Sequence, residues 1–276
     1  MSLIRAALLT FSLLTISVAH AIPLEDGEGL DKQSPEEILR ARIKIQTDFA
    51  DAVNPGILSI SEQARILAKY QYLDPTDEVP QDLLNDAILY FDTNKDKFPN
   101  QGYITIVDFA PRSDKYRFYL VNMTDGSVEK YHTTHGTGSD PKNTGTATIF
   151  GNIINSGESS LGYIRTAEVY SGTYKTAVRL DGLSDTNSNI RDRAVVFHGW
   201  NGVHEANVKQ GLTWGCITLD WKVKDAVLDK IKEGSLMYTG VSKMDPKLSR
   251  NSRSKKPART ALRYQIKVGS GLARKF

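Results

Sequence analysis

The chain contains a single cysteine, Cys216, among its 276 residues, and this limits how its fold can be stabilised. Without a second cysteine, a disulfide within the chain is excluded, so a buried hydrophobic core has to hold the fold together. Cys216 ends the segment Thr213-Trp214-Gly215-Cys216. Three interpretations of its thiol follow: a buried structural group, an intermolecular link or a nucleophile.

The first 21 residues have the organisation of a secretory signal peptide. Arg5 gives a positive start, Ala6 to Val18 form an apolar run, and Ala19-His20-Ala21 has the small-residue pattern of a cleavage site. The sequence therefore predicts an exported protein of the periplasm or cell envelope, with a mature chain that begins near Ile22. An uncleaved N-terminal anchor is the alternative interpretation.

Charge divides the rest of the chain into three blocks. Residues 22–99 carry sixteen acidic and eight basic side chains, residues 100–242 carry fifteen of each, and residues 243–276 carry eleven basic side chains and only Asp245. We expect the basic tail to be solvated, to contact an anionic envelope polymer or membrane surface, or to fold back on the acidic block. Nucleic acid is not expected as a partner of an exported chain.

The pattern over residues 22–99 predicts a helical N-terminal region. Ser34-Pro35-Glu36-Glu37 is typical of a capped helix start, and the helix is predicted to run to about Ala52. A second helix is predicted from Ser61 to about Tyr72, and a third from near Pro80 to Asp92. No chemistry is evident here, so a packing or positioning role is the simplest interpretation.

Residues 100–242 are predicted to form a mainly β (α+β) domain with one prominent helix, followed by the tail over 243–276. The predicted strands are Tyr103–Phe109, Tyr116–Val121, Val128–Thr133, Thr176–Leu180, Ala194–His198 and Ser235–Tyr238. Thr124–Ser127 predicts a hairpin turn. The helix is predicted from Lys222 to about Lys232 and is ended by Gly234.

A histidine lies upstream of the cysteine at a point where it could act as a base. His198 follows the apolar run before it and precedes Gly199, whose carbonyl could fix the imidazole tautomer. An ordinary thiol is only a few per cent thiolate near neutral pH, and an adjacent imidazole makes it available for attack. The backbone amides of Trp214, Gly215 and Cys216 could form an oxyanion hole.

Several ordered motifs resemble the murein L,D-transpeptidase catalytic domain family. Residues 193–199 end in the family's histidine–glycine pair, and Thr213–Cys216 matches its Ser/Thr-x-Gly-Cys motif at the expected separation. The resemblance covers about residues 80 to 242, and the other matching segments are Ile104–Asp108, Thr134–Gly138, Ser159–Gly162, Arg179–Leu183 and Gly234–Tyr238.

The resemblance implies a β-sandwich-like fold with the cysteine at the end of a cleft. It implies Cys216 as nucleophile, His198 as general base and amides near Gly215 and Cys216 as oxyanion donors. Thr213 takes a supporting position that serine usually holds. Many members carry histidine where this chain has Trp214, which leaves His198 alone as the base.

The implied substrate is the stem peptide of peptidoglycan. Cys216 would attack the carbonyl on the L-centre of the third residue, and the terminal D-alanine would leave a thioester. Transfer to an amine gives a 3–3 cross-link or an anchored protein, whereas transfer to water makes the enzyme an L,D-carboxypeptidase. The resemblance implies no metal and no organic cofactor.

Five further residues are candidates for contact with substrate: His135, Tyr163, Arg179, Trp200 and His204. His135 stands in a Gly/Thr-rich segment and is interpreted as lining the cleft. His204 lies in a predicted loop between the base and the nucleophile. Arg179, like Arg193, could meet a substrate carboxylate. For each of them the alternative is an ordinary packing or ion-pairing role.

Two other classes of function stay open from the sequence. His198, His204 and Cys216 with His132 or His135 could bind zinc, although their spacings match no standard zinc pattern. The chain could also be a catalytically inactive cell-wall-binding module that uses its basic tail. The intact Cys216, His198 and Gly215 argue against that loss of activity.

Overall fold

The protein was analysed as a computed structural model, which describes residues 33–243. The predicted signal peptide and all but the first residue of the basic tail lie outside these residues. Four α-helices occur in the described part of the chain: α1 (Pro35–Asp48), α2 (Ile60–Ala68), α3 (Gln81–Thr93) and α4 (Trp221–Ile231). Of the helices between residues 33 and 243, none is long and apolar enough to cross a membrane.

The first two helices begin at capping boxes and end earlier than the sequence predicts. In α1, the Ser34 hydroxyl accepts from the Glu37 amide while the Glu37 carboxylate accepts from the Ser34 amide. Ser59 and Glu62 repeat this arrangement at the start of α2. The chain after Ala68 continues in turns with i→i−3 hydrogen bonds, which explains why the α-helix predicted to Tyr72 is shorter.

Ten strands form one large sheet and one small sheet within the described residues. The large sheet has the order β3-β2-β1-β10-β5-β6-β7-β9, and β4 pairs with β8 in the small one. The strands are β1 (Tyr103–Asp108), β2 (Phe118–Asn122), β3 (Val128–Tyr131), β4 (His135–Gly136), β5 (Gly162–Gly172), β6 (Lys175–Gly182), β7 (Val196–Gly199), β8 (Leu212–Thr213), β9 (Ile217–Leu219) and β10 (Leu236–Gly240).

The central strands bury side chains on both faces of the sheet. In β1, Ile106 packs with α2 and α3, whereas the next residue, Val107, packs in the cluster that contains α4. In β10, Leu236 packs on the side of α2 and α3, and Met237 packs on the side of α4. All four side chains are fully buried. Successive side chains on a strand point to opposite faces, so helices cover the sheet from both sides.

The fold class predicted from sequence is confirmed: a mainly β, mixed α+β fold with one helix after Cys216 and a helical N-terminal region. The sequence missed β5, the longest strand. Its second half is largely exposed and its pairing with β6 is interrupted between Thr166 and Val169, so no regular alternation marks it. The predicted boundary between residues 99 and 100 stays a prediction.

Replacing Phe91 by alanine tests whether the helices and the sheet fold as one unit. Phe91 is 1% exposed and packs against Phe98, 6.0 Å between ring centroids. We expect the free energy of unfolding to fall by about 3–5 kcal/mol. All three tryptophans lie after residue 199, so their fluorescence reports on the sheet, while circular dichroism at 222 nm reports on the helices.

Both signals should shift together during denaturation with guanidinium. Leu39→Ala is the control, because Leu39 is exposed on α1 and its truncation should change stability by less than about 0.5 kcal/mol. Two separate transitions in the Phe91→Ala protein would contradict a shared core.

Candidate active site

The cysteine ends a tight turn between β8 and β9 that requires glycine. Gly215 has φ +106°, and a Cβ at this position would lie 2.7 Å from the carbonyl oxygen of Glu158. The Thr213 hydroxyl accepts a hydrogen bond from the Gly215 amide (3.2 Å) and donates one to the Cys216 carbonyl (2.9 Å). Thr213 therefore holds the turn closed, as its predicted supporting position requires.

The segment before β4 braces the same turn from the other side. The Thr134 hydroxyl donates to the Cys216 carbonyl at 3.3 Å and lies 2.7 Å from the Thr218 hydroxyl. The Thr133 hydroxyl donates to the Thr218 carbonyl at 2.8 Å. Neither Thr133 nor Thr134 has a role that could be read from the sequence; the only sign of one is that Thr134 begins a matching family segment.

Parallel pairing of β7 with β9 places the histidine beside the cysteine segment. His198 is opposite Thr218 in the register, and Cys216 lies two residues before Thr218. The Cys216 thiol, 6% exposed, makes a long hydrogen bond of 3.9 Å to the carbonyl oxygen of Ala194. Residues just before β7 and β9 thus meet at one end of this strand pair.

His198 is held as a neutral imidazole with a defined tautomer. Its Nδ1 lies 2.9 Å from the Gly199 carbonyl oxygen, which can only accept, so Nδ1 carries the proton and Nε2 has a lone pair. Burial lowers the pKa of His198 from 6.5 to about 4; the Gly199 hydrogen bond opposes this shift and the nearby Lys224 charge adds to it.

Aromatic side chains enclose the imidazole. The Tyr174 ring, at the tip of the β5–β6 hairpin, stacks on His198 with 3.9 Å between centroids. The Trp221 ring lies against Gly199, where a Cβ would be 2.3 Å from Cε3 of the indole. His198 is consequently only 2% exposed. Neither aromatic was identified from the sequence, because both are distant from His198 along the chain.

Arg193 lies on the other side of the cysteine turn. Its Nη2 donates to the Glu158 carbonyl and would be 3.2 Å from a Cβ on Gly215. Its Nη1 donates to the Gly151 carbonyl (3.0 Å) and to the Ser160 hydroxyl (2.5 Å). The guanidinium therefore connects the wall formed by residues 151–160 to the nucleophile turn.

A family model agrees with this arrangement. The model described as the L,D-transpeptidase catalytic domain matches residues 75–239, more than half of the chain. The chain belongs to the L,D-transpeptidase catalytic domain family. The match begins before α3, so it includes the last helix of the N-terminal region as well as the sheet.

Solved structures that match this chain include two L,D-transpeptidases and one cell shape determining protein. An L,D-transpeptidase from Mycobacterium smegmatis is 14% identical with a TM-score of 0.33, covering 51% of this chain and 59% of that one. The helical cell shape determining protein Pgp2 from Campylobacter jejuni is 14% identical with a TM-score of 0.33, covering 53% of this chain and 50% of that one.

The third is an L,D-transpeptidase from Stackebrandtia nassauensis, 12% identical with a TM-score of 0.32, covering 74% of this chain and 92% of that one. This chain therefore spans less than two thirds of the length of the first two solved chains. No curated protein matches the sequence.

In this L,D-transpeptidase domain, His135 does not line a cleft, contrary to the sequence interpretation. It lies in β4, not in a turn, and is fully buried. Arg117 Nη1 donates to His135 Nδ1 at 3.0 Å, so the proton lies on Nε2, which is 3.5 Å from the Asp140 carboxylate. Burial and the Arg117 charge lower the pKa of His135 to about 4. These contacts correspond to the packing alternative for His135.

Tyr163 and Arg179 both make packing or ion-pair contacts, and substrate contact by either stays a prediction. Tyr163 stacks between Tyr90 and Tyr238, with 3.8 and 4.8 Å between centroids, and lines a cavity of about 570 Å³ beside α3. The Arg179 guanidinium lies over the Tyr170 ring at 4.1 Å and 3.6 Å from the Glu168 carboxylate. The packing and ion-pairing alternatives account for these contacts.

The loop between β7 and β8 contains the other two candidates for contact with substrate. The Trp200 ring packs against Gly202 and Gly211, where added Cβ atoms would lie 2.3 and 2.5 Å from it. His204 is exposed, and its amide donates to the Gln210 side chain at 2.7 Å. Substrate contact by Trp200 and His204 stays a prediction. So does the supporting role of Trp214, which is 37% exposed beside Cys216.

The zinc interpretation needs at least three ligating side chains close together. Between residues 33 and 243, no group of three or more His, Cys, Asp or Glu side chains is arranged to hold a metal ion. His132 instead contacts the Glu205 carboxylate through Nδ1 at 3.3 Å.

Substituting alanine for Gly215 tests the strain in the nucleophile turn. We expect the free energy of unfolding to fall by at least about 1–3 kcal/mol, because alanine disfavours φ +106° and its Cβ would contact the Glu158 carbonyl. Denaturation with guanidinium measures this. Gly102→Ala is the matched control, since its Cβ would meet nothing closer than 3.6 Å. Equal stability of the two variants would contradict the assigned strain.

Titration of the His198 imidazole tests its burial. Since its folded pKa of about 4 is below 6.5, the folded state binds fewer protons than the unfolded chain between these values. Its contribution to stability is therefore lost as the pH falls from 6.5 towards 4.

Nuclear magnetic resonance should give a His198 titration midpoint near 4 in the unmodified protein. Tyr174→Ala should raise the midpoint by about one unit through hydration of the ring, whereas Tyr174→Phe should preserve it. A midpoint near 6.5 before substitution would refute the buried, neutral histidine.

Proposed function

We propose that this protein is an exported cysteine acyltransferase that acts on peptidoglycan stem peptides. The observation that carries the proposal is the neutral His198, whose Nδ1 proton is committed to Gly199, on the strand next to the one that Cys216 precedes. Such an imidazole can accept the thiol proton only through Nε2, as a general base must. Family membership supports the same chemistry.

In the first half-reaction, the Cys216 sulfur attacks the carbonyl carbon of the third stem residue while the thiol proton moves to His198 Nε2. The bond to the terminal D-alanine then breaks, and His198 returns the proton to the departing amine. The product is a thioester on Cys216. Burial keeps the resting imidazole neutral, so Nε2 is free to accept the proton. The same burial disfavours the imidazolium, so the proton passes on to the leaving amine.

We assign the oxyanion contact to the backbone amide of Cys216. The Gly215 amide, a predicted donor, already donates to the Thr213 hydroxyl. Thr213 and Thr134 both fix the Cys216 carbonyl, so the peptide unit that follows the cysteine is held before substrate binds. Such preorganised donors stabilise the developing negative charge in the transition state.

The second half-reaction decides the activity. An amine from a neighbouring stem peptide would give a 3–3 cross-link, and a protein lysine would give an anchored protein. Water would instead release a tripeptide, which makes L,D-carboxypeptidase the alternative activity. Membership of the L,D-transpeptidase family favours transfer to an amine.

Two further features belong to the proposal and depend on the sequence alone. The apolar N-terminal segment supports export to the periplasm or cell envelope. The basic residues after Lys243 support contact with an anionic envelope polymer or membrane surface. The inactive wall-binding module is the competing class of function, and loss of turnover on removing the thiol would separate it from an enzyme.

Mass spectrometry of a diaminopimelate-containing tetrapeptide muropeptide, incubated with the protein, tests the reaction. We expect dimers linked 3–3 with the unmodified protein and none with Cys216→Ala, because only the thiol can form the acyl-enzyme. His198→Gln should slow the reaction by at least about a hundredfold.

Release of tripeptide without dimers would show that the protein is an L,D-carboxypeptidase and would contradict transpeptidation. An unchanged substrate, with the Cys216→Ala protein still bound to peptidoglycan sacculi, would favour the inactive binding module.

A further inference from the structure

We propose that the Arg193 guanidinium is the counter-ion of the Cys216 thiolate. In this view the sulfur, once deprotonated, is stabilised by an arginine from the loop before β7 and not by a lasting imidazolium on His198. This inference rests on the proposed role of Cys216 as nucleophile, and it adds a charged residue for which the sequence offered contact with a substrate carboxylate or structural ion pairing.

The position of Arg193 is fixed by neutral groups. Its guanidinium donates to the carbonyl oxygens of Gly151 and Glu158 and to the Ser160 hydroxyl. Its Nε is buried and donates to no atom of residues 33–243. No aspartate or glutamate of this described range forms an ion pair with Arg193. A buried guanidinium without an adjacent carboxylate is costly unless another negative charge compensates it.

Cys216 is in a position to supply that charge. Nη2 of Arg193 contacts the face of Gly215, the residue directly before the cysteine. The two acidic groups whose charge raises the pKa of Arg193, against the lowering effect of burial, are Glu158 and Cys216. The Glu158 carboxylate, the stronger of the two, lies beside Gly151, whose carbonyl Arg193 also binds, but it forms no direct ion pair with the guanidinium.

His198 is poorly suited to be the lasting counter-ion. Its ring is 2% exposed, and the positive charge of Lys224 acts on it in the same direction as burial, so both disfavour an imidazolium. A division of labour follows: His198 accepts the S–H proton transiently at Nε2, and the sulfur keeps the electron pair beside Arg193. Arginine suits this role because its guanidinium stays protonated.

The pH dependence of Cys216 alkylation by iodoacetamide tests the pairing without any substrate. Cys216 is the only cysteine, so mass spectrometry reads one site. Arg193→Gln should raise the inflection point of the pH–rate profile by about one pH unit. At pH values below that inflection, alkylation should be about tenfold slower than in the unmodified protein. Arg193→Lys, which keeps the charge but not the three hydrogen bonds, should restore most of the difference.

Arg165→Gln is the matched control, because Arg165 is another partly buried arginine but pairs with Asp48 and Asp181 beside α1. It should leave the inflection unchanged. Two results would overturn the proposal. One is an equal shift of the alkylation inflection in the glutamine and lysine variants of Arg193, which would show a structural role only. The other is no shift in either variant.

A second variant covers the case in which Arg193→Gln fails to fold. His198→Gln should leave the alkylation inflection nearly unchanged if Arg193 holds the thiolate, whereas an imidazolium partner would make it rise. The muropeptide reaction and the alkylation profile test different claims. If the reaction fails while the alkylation inflection still depends on Arg193, the proposed function is contradicted and the pairing of Arg193 with Cys216 is not.

Discussion

The parallel pairing of β7 with β9 is the constraint on which the site depends. It brings His198 and the Cys216 segment together from positions eighteen residues apart, with Thr218 opposite His198. Neighbouring parallel strands need a connection long enough to return to the same end of the sheet, and residues 200–211 with β8 provide it. Because β8 pairs with β4, the returning chain enters the nucleophile turn already braced by the Thr133–Thr134 segment.

Burial then determines the chemistry that this geometry permits. His198 and Cys216 are both nearly inaccessible, and a low-dielectric surrounding penalises every unpaired charge. The base consequently rests neutral, while Arg193 brings a fixed positive charge to the nucleophile turn through hydrogen bonds to neutral partners. The Thr213 hydroxyl makes two hydrogen bonds in this turn. It accepts one from the Gly215 amide, which closes the turn, and donates one to the Cys216 carbonyl, which orients it.

Local signals in the sequence were sufficient for the helices, most strands and the candidate pair itself. The Ser34 capping box and the His198–Gly199 contact involve residues close in the chain, so their patterns are readable directly. Tyr174 and Arg117 could not be found in this way. Tyr174 reaches His198 through the β5–β6 hairpin, and Arg117, just before β2, donates to the buried His135 in β4. Both contacts depend on sheet order, which single-sequence periodicity does not contain.

The N-terminal helices are connected to the site through the sheet. Tyr163 lies in β5 and stacks on Tyr90 of α3. Residues 158–160 come shortly before β5 in the chain and accept hydrogen bonds from Arg193 through the Glu158 carbonyl and the Ser160 hydroxyl. The Thr239 hydroxyl of β10 donates to the Ser160 carbonyl, so the strand next to β5 holds the same wall. Because a packed interior transmits displacement of one element to its neighbours, loss of packing under α3 should also loosen the wall beside Gly215. The helical region is thus a supporting part of the catalytic domain as well as its cover.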